Sequence, residues 1–180
     1  MDDFIRMGEM DRAYEQLMSL LAMWPRSPSL HGHLADFYLD MGDIDNAEFH
    51  LWYVTDILGL RMWMRGMFAQ FRMHLHYGDF SAAQDVLDEA RSLRKQSHRM
   101  RARQAELYRL QGDPQNAVNT LQQRRYWFQE HPEMKAVEAL ALFELGQLEE
   151  AGELAGWVLE IYPGHPAVLE LGAVMDAARD

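Results

Sequence analysis

Apolar and small residues recur along this chain at helical spacing, in runs that glycine, proline and polar segments interrupt at near-constant intervals. The runs predict helices over 2–7, 10–24, 29–41, 44–58, 61–77, 80–95, 98–111, 114–129, 133–145, 148–161 and 166–178. A glycine closes every other run: Gly8, Gly42, Gly78, Gly112 and Gly146 are spaced 34, 36, 34 and 34 residues apart. Five residues after each stands an alanine: Ala13, Ala47, Ala83, Ala117 and Ala151. Leu17, Leu51, Leu87 and Leu121 follow four residues later, and Leu154 stands one place early in the last copy. Ahead of the glycines, Ala35, Phe71, Ala105 and Ala139 share one register position and Tyr38, His74, Tyr108 and Leu142 another.

Each position has a physical reason. Glycine after an amphipathic run takes the left-handed helix end that turns the chain back. Asp43 and Asp113 follow directly and are placed to cap the next helix, and Pro114 sits in a first turn, where a missing N–H costs nothing. The alanines let two antiparallel helices approach closely, while Leu and Tyr fill the gaps between them. A fixed period of this length marks a repeat architecture, in which sequence order maps onto spatial order.

The Gly-x4-Ala-x3-Leu register, with Ala-x2-Tyr ahead of it at Ala35/Tyr38 and Ala105/Tyr108, resembles the tetratricopeptide repeat family over nearly the whole chain. The resemblance implies an all-α fold: a right-handed α-solenoid of about five antiparallel helix pairs with a C-terminal capping helix. It implies one domain over 1–180, with units near 1–27, 28–60, 61–97, 98–131 and 132–164 and a cap over 165–180. Two extra residues near Ile57–Met62 predict locally altered geometry in the second and third units. The pentatricopeptide family has a similar period, but the acidity and the Gly/Ala signature argue against it.

Composition then narrows the function. The 180 residues are 48% hydrophobic and 25% charged, which is globular rather than disordered, and contain no cysteine. The missing cysteine removes disulfides, thiol catalysis and thiolate-bound zinc. A net charge of −11 disfavours a nucleic-acid partner. No apolar stretch approaches the roughly 20 residues of a membrane span. The acidic start lacks a signal-peptide core, which points to the cytoplasm, or to the periplasm if the chain is a fragment of a longer protein. The total hides a segregation: residues 1–60 carry −8, residues 61–131 carry +5 and residues 132–180 carry −8. In a repeat fold that middle becomes a basic island.

In the tetratricopeptide family the first helix of each pair lines the concave face. Helical spacing gives the inward stripes Ser29/His33/Asp36/Asp40, Arg65/Ala69/Arg72/His76, Arg99/Arg103/Glu106/Leu110 and Glu133/Val137/Leu140/Glu144, bordered by Phe68 and Arg109. Arginine offers bidentate hydrogen bonds to carboxylates. Arg65, Phe68, Arg72, His76, Arg99, Arg103 and Arg109 are therefore the candidate contacts for a protein or peptide segment with acidic groups. The alternative is that these arginines pair with carboxylates on neighbouring helices. Some family members clamp a partner's terminal carboxylate with Lys, Asn and Arg. Arg99 and Arg103 match the last two places, but Gly32, Asp36 and Ala69 occupy earlier ones, which argues against an Hsp70/Hsp90-tail co-chaperone.

Other chemistry is sparse. The pairs His31/His33 and His74/His76 point apart on a helix and no metal-ligand spacing occurs, which leaves convergence across repeats, for instance His33 with His76, as the one route to a metal site; no catalytic, cofactor or metal residue is assigned. Met62, Met64, Met67 and Met73 read as core filling or as an adaptable binding surface. Tyr53 and Trp157 share a repeat phase, which marks either a homodimer contact or packing between repeats. The expected function is a non-enzymatic adaptor holding a partner segment in its groove, in a finer version a bacterial chaperone or assembly factor. The alternatives are a homo-oligomeric scaffold or a repeat segment of a larger protein.

Overall fold

The computed structural model of the protein describes residues 9–59, 64–93, 97–123 and 131–177. Among the described residues are ten α-helices and no strand. They are α1 (Met10–Met23), α2 (Pro28–Asp40), α3 (Ile44–Trp52), α4 (Met64–His76), α5 (Phe80–Leu93), α6 (His98–Leu110), α7 (Pro114–Gln122), α8 (Pro132–Glu144), α9 (Leu148–Ile161) and α10 (Pro166–Ala177). The helix predicted over 2–7 lies outside the described residues. The helices fall into two compact units, the first holding α1 to α5 and the second α6 to α10.

One turn is used four times. Gly42, Gly78, Gly112 and Gly146 all take a positive φ of 70 to 81° at the end of α2, α4, α6 and α8. The residue after each glycine donates its N–H to a carbonyl five residues back. Asp43 to Tyr38 is 2.8 Å, and Asp79 to His74, Asp113 to Tyr108 and Gln147 to Leu142 are each 2.9 Å. This closure satisfies carbonyls that a helix end otherwise strands. In the first three turns the same residue then caps the next helix: Asp43 accepts from Asn46 N–H, Asp79 from Ala82 N–H and Asp113 from Asn116 N–H. One short segment thus ends one helix and starts its antiparallel partner. Ser27 and Ser97 cap α2 and α6.

The register residues make the core. Ala13, Ala47, Ala83, Ala117 and Ala151 are all at most 1% exposed, as are Ala35, Phe71, Ala105 and Ala139. In the first unit α2 packs on α3 and α4, and α4 on α5. Ala35, Ala47, Leu51, Ala69 and Met73 meet there, with Tyr38 against them. In the second unit α6, α7 and α8 share Ala105, Ala117, Leu121, Val137 and Leu142. Trp157 and Leu154 of α9 pack beside Ala136, Ala139, Val158, Val168 and Leu171 of α8 to α10. The capping helix α10 thus buries Val168 and Leu171 and leaves Leu169 and Glu170 exposed. Trp157 serves packing between repeats. Met67 and Met73 are buried and fill the core of the first unit, while Met62 and Trp63 lie outside the described residues.

Two places depart from the periodic reading. After α3 the chain continues through a π-helical turn, Tyr53–Ile57, where Leu58 N–H reaches the Tyr53 carbonyl at 3.0 Å. A π turn takes one more residue than an α turn, so it accommodates part of the two-residue excess predicted near Ile57–Met62. Further on, α7 ends at Gln122, and the stretch of the predicted helix from 124 to 129 lies outside the described residues. Gln123 adopts ψ of 111°, an extended conformation that closes the helix although the sequence pattern continues.

The π turn also finishes a buried aromatic stack. His31 and His50, both nearly inaccessible, approach with their Nδ1 atoms 2.8 Å apart. His31 Nε2 lies 3.0 Å from the Pro25 carbonyl, so it carries the proton and donates. In the neutral ring its Nδ1 is then the acceptor, and the His50 Nδ1–H is the donor. His31 stacks on Tyr53 at 4.1 Å between ring centres, and His50 on Tyr38 at 5.6 Å. Burial, with the neighbouring His31 adding to it, pushes His50 down to about 4.

Two outcomes follow. Because the alanines leave no room, Ala117→Leu destabilises the protein by about 1–3 kcal/mol in urea unfolding; a change under about 0.5 kcal/mol contradicts the close helix approach. His50 is depressed in the folded chain, so the unfolded chain binds more protons between pH 6.5 and 4. Stability present above pH 6.5 is therefore lost as the pH falls through that window, by about 3 kcal/mol in the limit. His50→Phe lowers stability at neutral pH but flattens this slope. An unchanged slope between pH 7.5 and 4.5 contradicts the assignment.

Candidate functional site

The candidate contact residues belong to first helices α4 and α6, with α2 and α8 as neighbours, and the closing glycine turns set which face each helix shows. In the first unit, Asp36 and Asp40 are four residues apart on α2, so their carboxylates share one face. Arg72 of α4 reaches both: Nη2 lies 2.5 Å from Asp40 Oδ1, and Nη1 lies 3.5 Å from Asp36 Oδ1 and 3.4 Å from the Asp36 carbonyl. One guanidinium thus neutralises two like charges and ties successive first helices together. All three side chains keep about a fifth to a third of their surface exposed, which holds each pair to about 0.2–1 kcal/mol.

Beside Arg72, Ala69 is fully buried and Phe68 half-buried, so this stretch of the face has an apolar floor. His76 is exposed at the end of α4 and meets the Tyr77 ring edge-on. The side chain of Arg65 lies outside the described residues. Gly32 and Ala69, which stand at two places of the family's carboxylate clamp, are both buried.

The second unit repeats the arrangement with the charges exchanged. Arg109 near the end of α6 donates to Glu144 of α8 at 2.5 Å. Its Nε is buried and meets no acceptor among the described residues. At the other end of the same helices, Arg99 Nε stands 3.6 Å from Glu133 Oε1, with Arg99 half exposed. Between them Arg103 pairs with Glu106 at 2.8 Å within α6. Leu110 is exposed, and Val137 and Leu140 are covered to differing degrees. The alternative raised from sequence, pairing with neighbouring carboxylates, describes how Arg72, Arg99 and Arg109 stand. The geometry is a charged stripe on each unit, fixed by pairs that bridge one first helix to the next.

Sequence reasoning missed three further groups. Glu138 of α8 is buried and held by Lys135 Nζ at 2.8 Å and Gln122 Nε2 at 3.2 Å. A lone acid inside the apolar run Ala136–Ala141 was the available signal. His31 and His50 were legible only as members of unrelated positions, since 19 residues separate them. Finally, His98 and His131 stack at 3.7 Å beside Glu133. Burial pushes His98 below its ordinary range, against the pull of the Glu133 carboxylate and with Arg99 adding to the lowering. Among the described residues, no helix is long and apolar enough to cross a membrane.

Comparison with known proteins gives the fold its relatives. A thermophilic tetratricopeptide repeat protein from Thermus thermophilus superposes with a TM-score of 0.70 at 19% identity, covering 94% of this chain and 91% of that one. A tetratricopeptide repeat protein from Parabacteroides merdae gives 0.73 at 12% identity, covering 96% of this chain and 66% of that one. A Podosopora anserina structure of kinesin light chain nearly identical TPR-like repeats gives 0.50 at 21% identity, over 89% and 90%. No curated protein matches the sequence. These likenesses carry the fold: helix pairs of the tetratricopeptide type. A family model described as 26S proteasome subunit RPN7 matches residues 28–169. That match takes in well over half of the chain, from the first turn of α2 to the capping helix, and the protein therefore belongs to the family of 26S proteasome subunit RPN7.

Proposed function

We propose that the protein is a non-enzymatic scaffold that holds a segment of a partner protein against its first-helix stripes, and that it serves as a chaperone or assembly factor in the cytoplasm. The observation that supports this most directly is the charged stripe of each unit, where Arg–carboxylate pairs join successive first helices. Such pairs contribute little stability at this exposure, yet they fix guanidinium groups in defined positions. Membership of a family named for a subunit of a large assembly is consistent with that reading.

The proposed contacts are Arg65, Phe68, Arg72 and His76 in the first unit and Arg99, Arg103 and Arg109 in the second. They differ in what an incoming carboxylate must displace. Arg72 and Arg109 are mostly covered and engaged at 2.5 Å, so they hold the stripe in place. Arg99 is 50% exposed and its carboxylate stands at 3.6 Å, so an acidic group on the partner gains a bidentate contact there at small cost. Arg103 lies one helical turn further along the same face.

A second reading has its own observation. Phe49 and Trp52 on α3 lie 6.2 Å apart between ring centres and are about half exposed, as is Ile57 in the turn that follows. Such an aromatic pair is suited to a contact with a second copy of the chain.

Two experiments separate these. In affinity capture from its native cells, Arg99→Glu with Arg103→Glu reduces recovery of the wild-type partner at least tenfold, with helicity unchanged by circular dichroism. Equal recovery removes the stripe of the second unit from the interface. In light scattering over a concentration series, the homodimer reading requires a mass that rises towards twice the monomer and that Trp52→Glu lowers. A constant monomer mass excludes it.

A further inference from the structure

We propose that His98, His131 and Glu133 form a binding site for a divalent transition-metal ion of the zinc class, in the second unit where α6 and α8 begin. The inference is independent of the partner reading. His98 opens α6, and His131 stands directly before α8 with an extended backbone, φ −89° and ψ 126°. Because His131 is not yet helical, His131 and Glu133 are free of the rule that sends residues two apart to opposite sides. α6 and α8 pack side by side, which brings the two starts together although 33 residues separate the histidines.

One ligand atom from each of the three residues lies within 4.8 Å of the others, and all three residues are half-buried. A tetrahedral ion with bonds of about 2.0–2.1 Å needs donors about 3.3 Å apart, so rotation of the side chains supplies the remaining distance. The imidazoles stack at 3.7 Å with an interplanar angle of 23°, so chelation opens the stack. Two imidazole nitrogens and one carboxylate are the donor set of open zinc sites, where water completes the shell. Imidazole selects zinc, nickel or copper over magnesium and calcium.

One neighbour opposes the ion. Arg99 Nε stands 3.6 Å from Glu133 and competes with a metal for that carboxylate. This gives the site a signature that an adventitious surface histidine lacks: removing a positive charge nearby tightens it.

The test titrates the full chain with zinc chloride alone, by calorimetry in a non-chelating buffer at pH 7.5, with magnesium chloride alongside. The expected result is one saturable zinc site per chain and no response to magnesium. His131→Ala and Glu133→Gln each weaken it at least tenfold with unchanged helicity, and Arg99→Gln tightens it about threefold or more. A wild-type isotherm that matches the His98→Ala/His131→Ala/Glu133→Gln triple variant overturns the proposal. Should that variant fail to fold, nuclear magnetic resonance of the wild-type imidazoles decides. Zinc-dependent shifts confined to His98 and His131 support the site, and shifts at His33, His76 or the other histidines instead overturn it.

Discussion

Everything regular in this molecule depends on a helix ending in a left-handed glycine. At Gly42, Gly78, Gly112 and Gly146 the positive φ lets the next N–H reach back five residues and reverses the chain. The second helix is then bound to lie antiparallel against the first. A five-residue step from glycine to alanine puts the smallest side chain at the closest approach, where Ala47, Ala83, Ala117 and Ala151 are buried. Close approach in turn decides which faces remain outside, and so where Arg72, Arg99 and Arg109 stand relative to the carboxylates of the neighbouring first helix. A non-glycine residue at these positions strains the first step of that sequence, the turn itself, on which the packing and the charged stripe are built.

The fold was largely legible because its determinants are local. Glycine, the capping aspartate and the alanine all act within ten residues, and helix starts and stops read from them match the structure closely. The exceptions are also local in cause. At Tyr53–Ile57 the helix absorbs an extra residue through i+5 bonding, which periodicity registers only as an irregular spacing. At Gln123 an extended backbone ends α7 inside a stretch that reads as helical.

The site was less legible, because its determinants are not local. A basic island between acidic flanks is visible in the sequence, but whether an arginine is open depends on a carboxylate 32 to 35 residues away. Arg72 bridges to Asp40, Arg99 to Glu133 and Arg109 to Glu144, each across one repeat. A separation of 33 residues likewise hid the convergence of His98 with His131, and the His31–His50 pair, 19 residues apart, joins two helices within one repeat. In a repeat protein, residues one period apart are spatial neighbours, so the sequence raises such pairs as a class, but which members meet depends on side-chain placement that spacing alone does not fix.

The glycine turns carry the fold through their backbone conformation rather than through space for a side chain. A Cβ at either Gly112 or Gly156 meets nothing within 4 Å, but Gly112 has φ of +81° and Gly156 lies inside α9. Urea unfolding of Gly112→Ala against Gly156→Ala isolates the conformational part. Gly112→Ala destabilises by about 1–2 kcal/mol, the cost of a Cβ in the left-handed region. Gly156→Ala stabilises by about 0.5–1 kcal/mol, the helix preference of alanine over glycine. Equal effects of the two substitutions, or a neutral Gly112→Ala, contradict this role of the turns.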